Sequence, residues 1–475
     1  MALDAAQSLR PLLPELVLTS GLVVALVDDL VRGRPARGRT LGIAALALSG
    51  AIVATLATSG EAVLFGGAIV RDAAADAGKI LAALAGLCAV ALAFRARDTL
   101  PGRGHDVAEL VLLLLSVCIG ASLMAAARDV LVGYLALETA SIGSYVLVGF
   151  SRRSKRSAEA ALKYVIYGGV ASGVMVYGLS LAYGLAGVTE LEAVAHALAA
   201  GGAAGSAATV LVVAGFGFKV ALVPFHMWVP DAYEGAPTPV AAFLSVGPKA
   251  GGFLLLARFA LAAPGARSLL AALAVIAVAT MTLGNLAALG QSSLKRLLAY
   301  SSIAHAGTAL VAVAAGTAAG ERALVLYLGA YLVMNVGAFA AVHALAEAGV
   351  GQTVDSLRGL GFRAPLLAIA FAVFLVALVG LPPTVGFVAK LAVLYEALAR
   401  GGTTLWILAV ALALNTALSL AVYARVLRAM FLQQPAAERA GPVTIAPVHL
   451  ALIVPLAALT ILLGLWLRPL YALVG

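Results

Sequence analysis

Apolar residues run along almost the whole chain in long blocks separated by short polar gaps. A helix needs roughly 20 apolar residues to cross a bilayer, and about fourteen blocks reach that length. Their approximate bounds are 13–31, 40–58, 77–95, 107–127, 129–150, 158–186, 206–229, 237–262, 267–289, 293–315, 321–347, 365–399, 403–432 and 446–470. The gaps leave no room for an extramembrane domain, so the pattern predicts an all-α, polytopic membrane protein.

Two of these blocks carry prolines close to a lysine. In the seventh block Lys219 precedes Pro224, and in the twelfth Pro382 and Pro383 precede Lys390. Proline inside a helix removes a backbone hydrogen bond and kinks or breaks the helix. The twelfth block would also measure about 50 Å as one helix, whereas the hydrocarbon core is about 30 Å thick. We therefore predict a broken helix at each proline site.

The two predicted breaks lie five blocks apart, which indicates a repeated unit of five helices. Because five is an odd number, the second unit must be inverted, and interrupted helices at corresponding positions of inverted halves mark transport sites. Two unrelated proline kinks are the alternative. The predicted organisation is a three-helix segment at 1–106, a first repeat at 107–262, an inverted second repeat at 263–432 and a C-terminal helix at 433–475.

Composition and charge support a membrane location. The chain is 63% hydrophobic and 11% charged, with a mean hydropathy of +1.05. Its net charge of +9 could suit nucleic acid, but most Lys and Arg residues outside the apolar blocks lie in alternate loops. This positive-inside bias predicts both termini on the outer side. No transit-peptide pattern is apparent, which favours a bacterial cytoplasmic membrane.

Several lysines lie within apolar blocks, among them Lys163, Lys219, Lys249, Lys295 and Lys390. A charged amine at mid-bilayer costs roughly 2.5–3.5 kcal/mol and usually faces the bundle interior or a hydrated path. Glu138 is the only carboxylate near the centre of a block, and a lysine on a neighbouring helix is its candidate partner. The pattern predicts a proton relay of Glu138 with Lys163, Lys219, Lys249 and Lys390.

Three residues fit either a relay function or another one. Lys163 fits a relay, but it also fits a side chain that extends to the membrane surface. Lys295 fits interfacial anchoring or the relay. His305 fits a core histidine bonded to a carbonyl group, or a relay member beside Ser301 and Ser302.

Motifs for cofactors and metals are missing from the sequence. Cys88 and Cys118 lie in different blocks and form no paired ligand or disulfide motif, and neither a P-loop nor a complete dinucleotide fingerprint is present. We expect no metal or cofactor on this chain and no redox chemistry of its own. The energy for transport would then come from a partner or from an ion gradient.

Several stretches resemble the antiporter-like subunits of respiratory complex I, the proton-translocating NADH:quinone oxidoreductase. They are KVALVPFHMWVPDAYEGAPTPVAAFLSVGPKAGGF at 219–253, LKRLLAYSSIAHAG at 294–307, RSAEAALKY at 156–164 and GLPPTVGFVAKL at 380–391. The resemblance covers essentially the whole chain. Among the family it favours the subunit N group, because subunit M carries a glutamate at the position of Lys390 and subunit L has an additional lateral helix.

The resemblance implies two inverted half-channels joined by a polar axis. Glu138 would pair with a lysine, Lys219 and Lys249 would form the central relay, Lys163 would lie near the uptake side, and Lys390 would lead to the outer exit. Quinone, NADH, FMN and iron–sulfur clusters would belong to other subunits. The expected partners are an M-like subunit, small membrane subunits and the lipid bilayer, without nucleic acid.

Two other functions compete with this hypothesis. The chain could belong to a multisubunit cation/proton antiporter, although a sodium path would need more carboxylates at mid-membrane. It could also be a scaffold with inert lysines, but five buried amines would cost on the order of 10 kcal/mol, which fits that function poorly.

Overall fold

The computed structural model describes residues 9–33, 36–58, 60–94, 96, 104–262, 267–435 and 441–466. The α-helices of this part are α1 Leu13–Arg32, α2 Arg37–Ala57, α3 Ala73–Ala93, α4 Gly104–Ala126, α5 Val130–Val148, α6 Lys155–Ala186, α7 Leu191–Ala200, α8 Gly202–Val220, α9 Trp228–Gly235, α10 Thr238–Leu261, α11 Arg267–Leu289, α12 Leu294–Ala314, α13 Ala318–Glu347, α14 Leu360–Arg363, α15 Pro365–Val379, α16 Val385–Arg400, α17 Thr403–Leu432 and α18 Pro447–Leu465. A hairpin of β1 Ala62–Leu64 and β2 Ile69–Arg71 joins α2 to α3.

The predicted helical membrane fold is confirmed. Within the described residues, thirteen helices are long and apolar enough to cross a membrane. The remaining predicted block is the twelfth, which is divided into α15 and α16. Both chain termini lie outside the described residues, so the sides on which they end stay a prediction.

Both predicted breaks are present. Helix α8 ends at Val220, and α9 begins at Trp228 after an irregular stretch that contains Pro224. Helix α15 ends at Val379, and α16 begins at Val385 beyond Pro382 and Pro383. The peptide bonds that precede Pro224 and Pro383 are both cis. Each break therefore interrupts a membrane span where the prolines predicted it.

Polar side chains at the N-terminal ends of five helices explain where those helices begin. Asp72, Asp129, Ser154, Ser293 and Thr317 accept hydrogen bonds from first-turn backbone N–H groups of α3, α5, α6, α12 and α13. These donors have no partner within the helix, and a capping side chain typically contributes about 1 kcal/mol. Local chemistry thus fixes the starts of helices that carry candidate site residues.

A backbone bridge recurs in the two halves of the fold. In the first half, Asp129 before α5 pairs with Glu190 after α6. In the second half, Ser293 before α12 pairs with Thr353 after α13. The two bridges lie five spans apart, as the two breaks do, so the fold contains two five-helix repeats with one broken helix each. The residue limits of the repeats stay predictions.

The centre of the fold is formed by α10, α12 and α13, which are almost completely buried. Helices α1, α6, α17 and α18 bury a third or less of their apolar stretch. Exposed leucine and valine side chains on these outer helices are suited to lipid or to neighbouring membrane subunits. Side chains on the three central helices are therefore shielded from lipid.

Candidate functional site

Lys219 lies beside the first break, in the neighbourhood of Glu138. Lys219 occupies the last turn of α8, is buried, and donates a hydrogen bond from Nζ to Ser141 Oγ at 3.0 Å. Glu138 lies one turn before Ser141 on α5 and acts electrostatically on Lys219. Its Oε1 is buried without a hydrogen-bond partner among the described residues. The lysine near Glu138 is thus Lys219, and it is bonded to the serine rather than to the carboxylate.

Lys249 connects the two repeats. It lies on α10, is buried, and donates from Nζ to Ser302 Oγ on α12 at 2.7 Å. The same amine lies 5.6 Å from the centre of the Tyr233 ring on α9. The second central lysine therefore contacts a hydroxyl group and an aromatic face.

His305 lies between two small cavities. Its Nδ1 shares a hydrogen bond with Tyr327 Oη at 2.5 Å, so a hydroxyl takes the place of the carbonyl partner considered from the sequence. One cavity is lined by Lys249, Ser302 and His305. The other is lined by His305 and Lys390 together with several amide and hydroxyl side chains. The histidine therefore lies between Lys249 and Lys390.

Lys390 is held at the second break. Its Nζ donates to the carbonyl oxygens of Leu378 at 3.2 Å and Val379 at 2.8 Å, at the end of α15. These final carbonyls form the negative end of the helix dipole, where a cation is favourable. Gly380 allows this contact, because its φ is +86° and a Cβ there would lie 2.8 Å from Lys390 Cδ.

Lys163 lies apart from the buried groups. Its side chain is 42% exposed and its Nζ lies 2.8 Å from a Glu159 oxygen and 3.0 Å from Asp231 Oδ2. Arg296 Nη1 contacts the other Asp231 oxygen at 2.6 Å. Carboxylates thus partner Lys163, in contrast to the central lysines, and Asp231 links α6 to α12 through α9.

Lys295 lies at the end of α9. It is buried and donates to the backbone oxygens of Glu234 at 2.9 Å and Ala236 at 2.5 Å. These carbonyls end α9, so Lys295 caps the short half of the first broken helix. Lys295 thus donates to carbonyl oxygens at the end of α9, as Lys390 does at the end of α15.

Sequence reasoning missed a buried ion pair outside the two repeats. Lys79 Nζ on α3 lies 3.0 Å from Glu15 Oε1 on α1, and the side chains are 3% and 8% exposed. The signal was present, because Lys79 is followed by an uninterrupted apolar run to residue 94. It also assigned no partners to Asp231 and Arg296, although both lie in the quoted motifs.

The described residues contain no group of three or more His, Cys, Asp or Glu side chains suited to a metal ion. Cys88 and Cys118 are free cysteines. The candidate proton-transfer groups of this part of the chain are the amines of Lys219, Lys249 and Lys390 and the imidazole of His305. Lys390 is half-buried and the other three are buried. We call these four residues, together with Glu138, the central file.

Comparisons with known proteins identify the family. Residues 127–416 match the family described as NADH:quinone oxidoreductase/Mrp antiporter, TM. NADH-quinone oxidoreductase subunit N of Anaeromyxobacter sp. (strain Fw109-5) is 45% identical, and the match covers 96% of this chain and 94% of that protein. A chain of respiratory complex I from Thermus thermophilus is 32% identical with a TM-score of 0.81, covering 97% of this chain and 99% of that one.

A chain of the Mrp complex from Dietzia sp. DQ12-45-1b has a TM-score of 0.86, with 98% of this chain and 96% of that chain covered. Its identity of 23% shows a shared fold alone. The long match to subunit N, together with the family match, is the more specific result. The chain belongs to the NADH:quinone oxidoreductase/Mrp antiporter family and, within it, to the subunit N group.

Proposed function

We propose that this chain is a proton-translocating membrane subunit of an NADH:quinone oxidoreductase. Protons move along the central file, and redox chemistry in other subunits drives them. The main support for the proposal is that the central amines bond to neutral oxygen atoms. Lys219, Lys249 and Lys390 bond to hydroxyl or carbonyl oxygens, so each can release its proton without leaving a carboxylate unpaired.

Glu138 supplies the control element of this proposal. In the described arrangement Lys219 bonds to Ser141 and leaves a Glu138 oxygen unbonded. A second arrangement, with Lys219 against Glu138, would hold the proton on the amine because an adjacent anion favours the charged form. Exchange between the two arrangements permits or prevents proton transfer from Lys219 along the central file. A partner that favours one arrangement would thereby drive the exchange.

Lys163 and Lys295 serve the uptake side in this proposal. Lys163 and Asp231 form a charged surface site at α9, while Lys295 fixes the end of α9 from within. Both contacts place α9 relative to the two repeats. Since Tyr233 of α9 lies against Lys249, a shift of this short helix would reach the central file.

The surroundings of the chain are part of the proposal. Moving one charge against 100 mV requires about 2.3 kcal/mol, and the chain carries no cofactor motif that could supply it. NADH, FMN, iron–sulfur clusters and quinone therefore belong to other subunits. An M-like subunit and small membrane subunits are the proposed neighbours, in a bacterial cytoplasmic membrane with both termini outside.

The test compares Lys249→Ala with a matched variant outside the central file. The control is the double variant Glu15→Gln/Lys79→Met, which also removes a buried lysine but leaves no unpaired charge. Each assembled complex is reconstituted in liposomes, and NADH-driven proton transport and quinone reduction are measured. We expect Lys249→Ala to lower transport by about a hundredfold or more, the range typical of positioned proton-transfer groups, and the control to retain parent-like transport. Normal transport in Lys249→Ala and Lys219→Ala would exclude the central file as the route.

A cation/proton antiporter subunit is the second candidate, supported by the shared fold with the Mrp chain. Sodium transport favours carboxylate ligands within the membrane, and the central file contains Glu138 as its carboxylate. Proton flux that depends on sodium or potassium, measured in liposomes without NADH, would support this alternative.

A further inference from the structure

Helix α11 contributes a threonine hydroxyl to the first break. The backbone N–H of Val223, in the stretch between α8 and α9, donates to Thr280 Oγ1 at 3.1 Å. Thr280 itself donates to the carbonyl oxygen of Ile276 at 2.6 Å and is fully buried. A hydroxyl group can donate one hydrogen bond and accept another at the same time. A side chain of α11 therefore satisfies the backbone of the broken span.

The break leaves backbone donors without the partners that a continuous helix would give them. The N–H groups of Ala221 and Leu222 still bond to carbonyl oxygens in the last turn of α8, at 3.2 and 2.7 Å. Val223 is the next residue, and its N–H bonds to a side chain of another helix. Irregular backbone at membrane depth persists where protein groups or a water-filled cavity satisfy it. Thr280 supplies such a group to this stretch.

The contact of Thr280 lies close to Lys219 along the chain. Lys219 occupies the last turn of α8, four residues before Val223. Two side chains hold this end of the helix. Thr280 binds the chain that follows it, and Trp228 Nε1 donates to a carbonyl oxygen in the last turn at 3.0 Å. The position of the Lys219 amine relative to Ser141 therefore depends on a contact with α11.

The second break provides an internal comparison. Each break begins with a residue in the left-handed conformation, Ala221 at φ +66° and Gly380 at φ +86°. In each break a proline lies three residues later in the sequence. The position that Val223 has in the first break is then occupied by Pro382 in the second. Proline has no backbone N–H, so the second break has no donor at this position.

Helix α18 lies against the second break as α11 lies against the first. There is no room for a Cβ atom on Gly464 of α18, because it would overlap the carbonyl oxygen of Pro383. Each of these two helices follows the five spans that contain the break it contacts. The two helices therefore occupy corresponding places in the fold.

Both helices carry a threonine four residues before a glycine. The sequences are TMTLG at 280–284 and TILLG at 460–464. Thr460 is fully buried, as Thr280 is, and its hydroxyl donates to the carbonyl oxygen of Leu456 in its own helix at 2.8 Å. The two threonines are thus matched in burial and in sequence. They differ because a backbone donor is present at the corresponding position of the first break and is missing from the second.

We infer that Thr280 is a positioning residue for Lys219. Its hydroxyl fixes the chain that follows Lys219, and the fixed end of α8 keeps the amine where it can exchange between Ser141 and Glu138. Thr280 takes up no proton of the relay, because it acts through the backbone of Val223. This inference rests on the proposed transport function, and it gives α11 a role at a break that belongs to the other repeat.

The experiment uses the complete complex in liposomes and three single variants. Thr280→Val replaces the hydroxyl by a methyl group of similar size, Thr280→Ser retains the hydroxyl, and Thr460→Val is the matched control. NADH-driven proton transport is measured per assembled complex. We expect Thr280→Val to slow transport by about tenfold, less than the roughly hundredfold that a displacement of about 1 Å can cost. Thr280→Ser and Thr460→Val should transport protons like the parent.

Amide hydrogen exchange of the same complexes measures the contact itself. The N–H groups of residues 221–223 should exchange faster in Thr280→Val than in the parent, because local opening of the break becomes easier. Thr280→Ser should protect them as the parent does, and Thr460→Val should leave them unchanged. If Thr280→Val does not assemble, Thr280→Ala, which also lacks the hydroxyl, replaces it in both measurements with the same expected results.

Parent-like transport in Thr280→Val would overturn the inference, even if residues 221–223 exchanged faster. An equal loss in Thr460→Val would also overturn it, and so would failure of Thr280→Ser to retain transport. Failure of the proposed function gives a different result. Normal transport in Lys219→Ala and Lys249→Ala would reject the central file, whereas loss of transport in both with normal Thr280→Val would reject the positioning role alone.

Discussion

Lys79→Met tests whether the buried ion pair with Glu15 fixes α1 to α3. The amine and the carboxylate are 3.0 Å apart and almost fully buried. At an effective dielectric constant of about 20, two unit charges at this distance attract by about 5–6 kcal/mol. Removal of one partner leaves the other charge buried without compensation, which typically costs about 3–5 kcal/mol. We therefore expect Lys79→Met to lower the free energy of unfolding by about that amount.

The double variant Glu15→Gln/Lys79→Met should recover most of this loss, since replacement of a buried ion pair by neutral groups is often close to neutral. The assay is unfolding of the purified protein by SDS, followed by tryptophan fluorescence, for the parent, both single variants and the double variant. The coupling energy between the two sites is the decisive quantity. Purely additive losses, with the double variant the least stable, would refute the assignment of a stabilising ion pair.

Two further predictions concern other contacts of the fold. Gly380→Ala should lower the free energy of unfolding by about 1–2 kcal/mol, because the new methyl group strains a residue in the left-handed conformation. It should also lower proton transport, because the methyl group displaces Lys390. Transport and SDS unfolding like those of the parent would contradict this prediction. Asp72 accepts two hydrogen bonds from Arg258, at 2.6 and 2.7 Å. Burial raises the pKa of Asp72, but the hydrogen bonds from Arg258 lower it by more, so the pKa lies below its ordinary value of 3.8. The stability that this contact contributes is present above pH 3.8 and is lost as the pH falls below that value. Asp72→Asn should therefore lower the free energy of unfolding at pH 7 and make it depend less on pH in the acid range. Unfolding curves at pH 7 and pH 3 would show both effects.

The spans and their two breaks could be predicted because they depend on local properties. Apolar length gives the spans, and proline at Pro224 and Pro382 interrupts the hydrogen bonds of its own helix. The family resemblance is likewise confirmed by the comparisons, since its motifs are contiguous in sequence. The proton-relay roles of the individual residues are not tested by these observations and stay proposals.

The partners of the site residues could not be predicted, because they depend on which helices pack together. Nothing near Lys219 in the sequence indicates Ser141, and Lys249 meets Ser302 from a helix in the other repeat. Lys295 was expected either at the interface or in the relay, and its role stays a proposal. Its contact with backbone oxygens at the end of α9 was not indicated by the sequence. The partner of an amine that caps a helix end is a backbone carbonyl. Because every residue has one, no pattern of side chains in the sequence indicates such a contact.

The contact of Lys390 with the end of α15 has a mechanical consequence. A protonated amine offsets the negative end of that half-helix, and a neutral amine does so much less. If Lys390 releases a proton as proposed, its contact with the end of α15 becomes weaker, and return of the proton strengthens it again. Under the proposed function, proton transfer at Lys390 and the stability of this break would therefore depend on each other, and a partner that displaced α15 would change the proton affinity of Lys390.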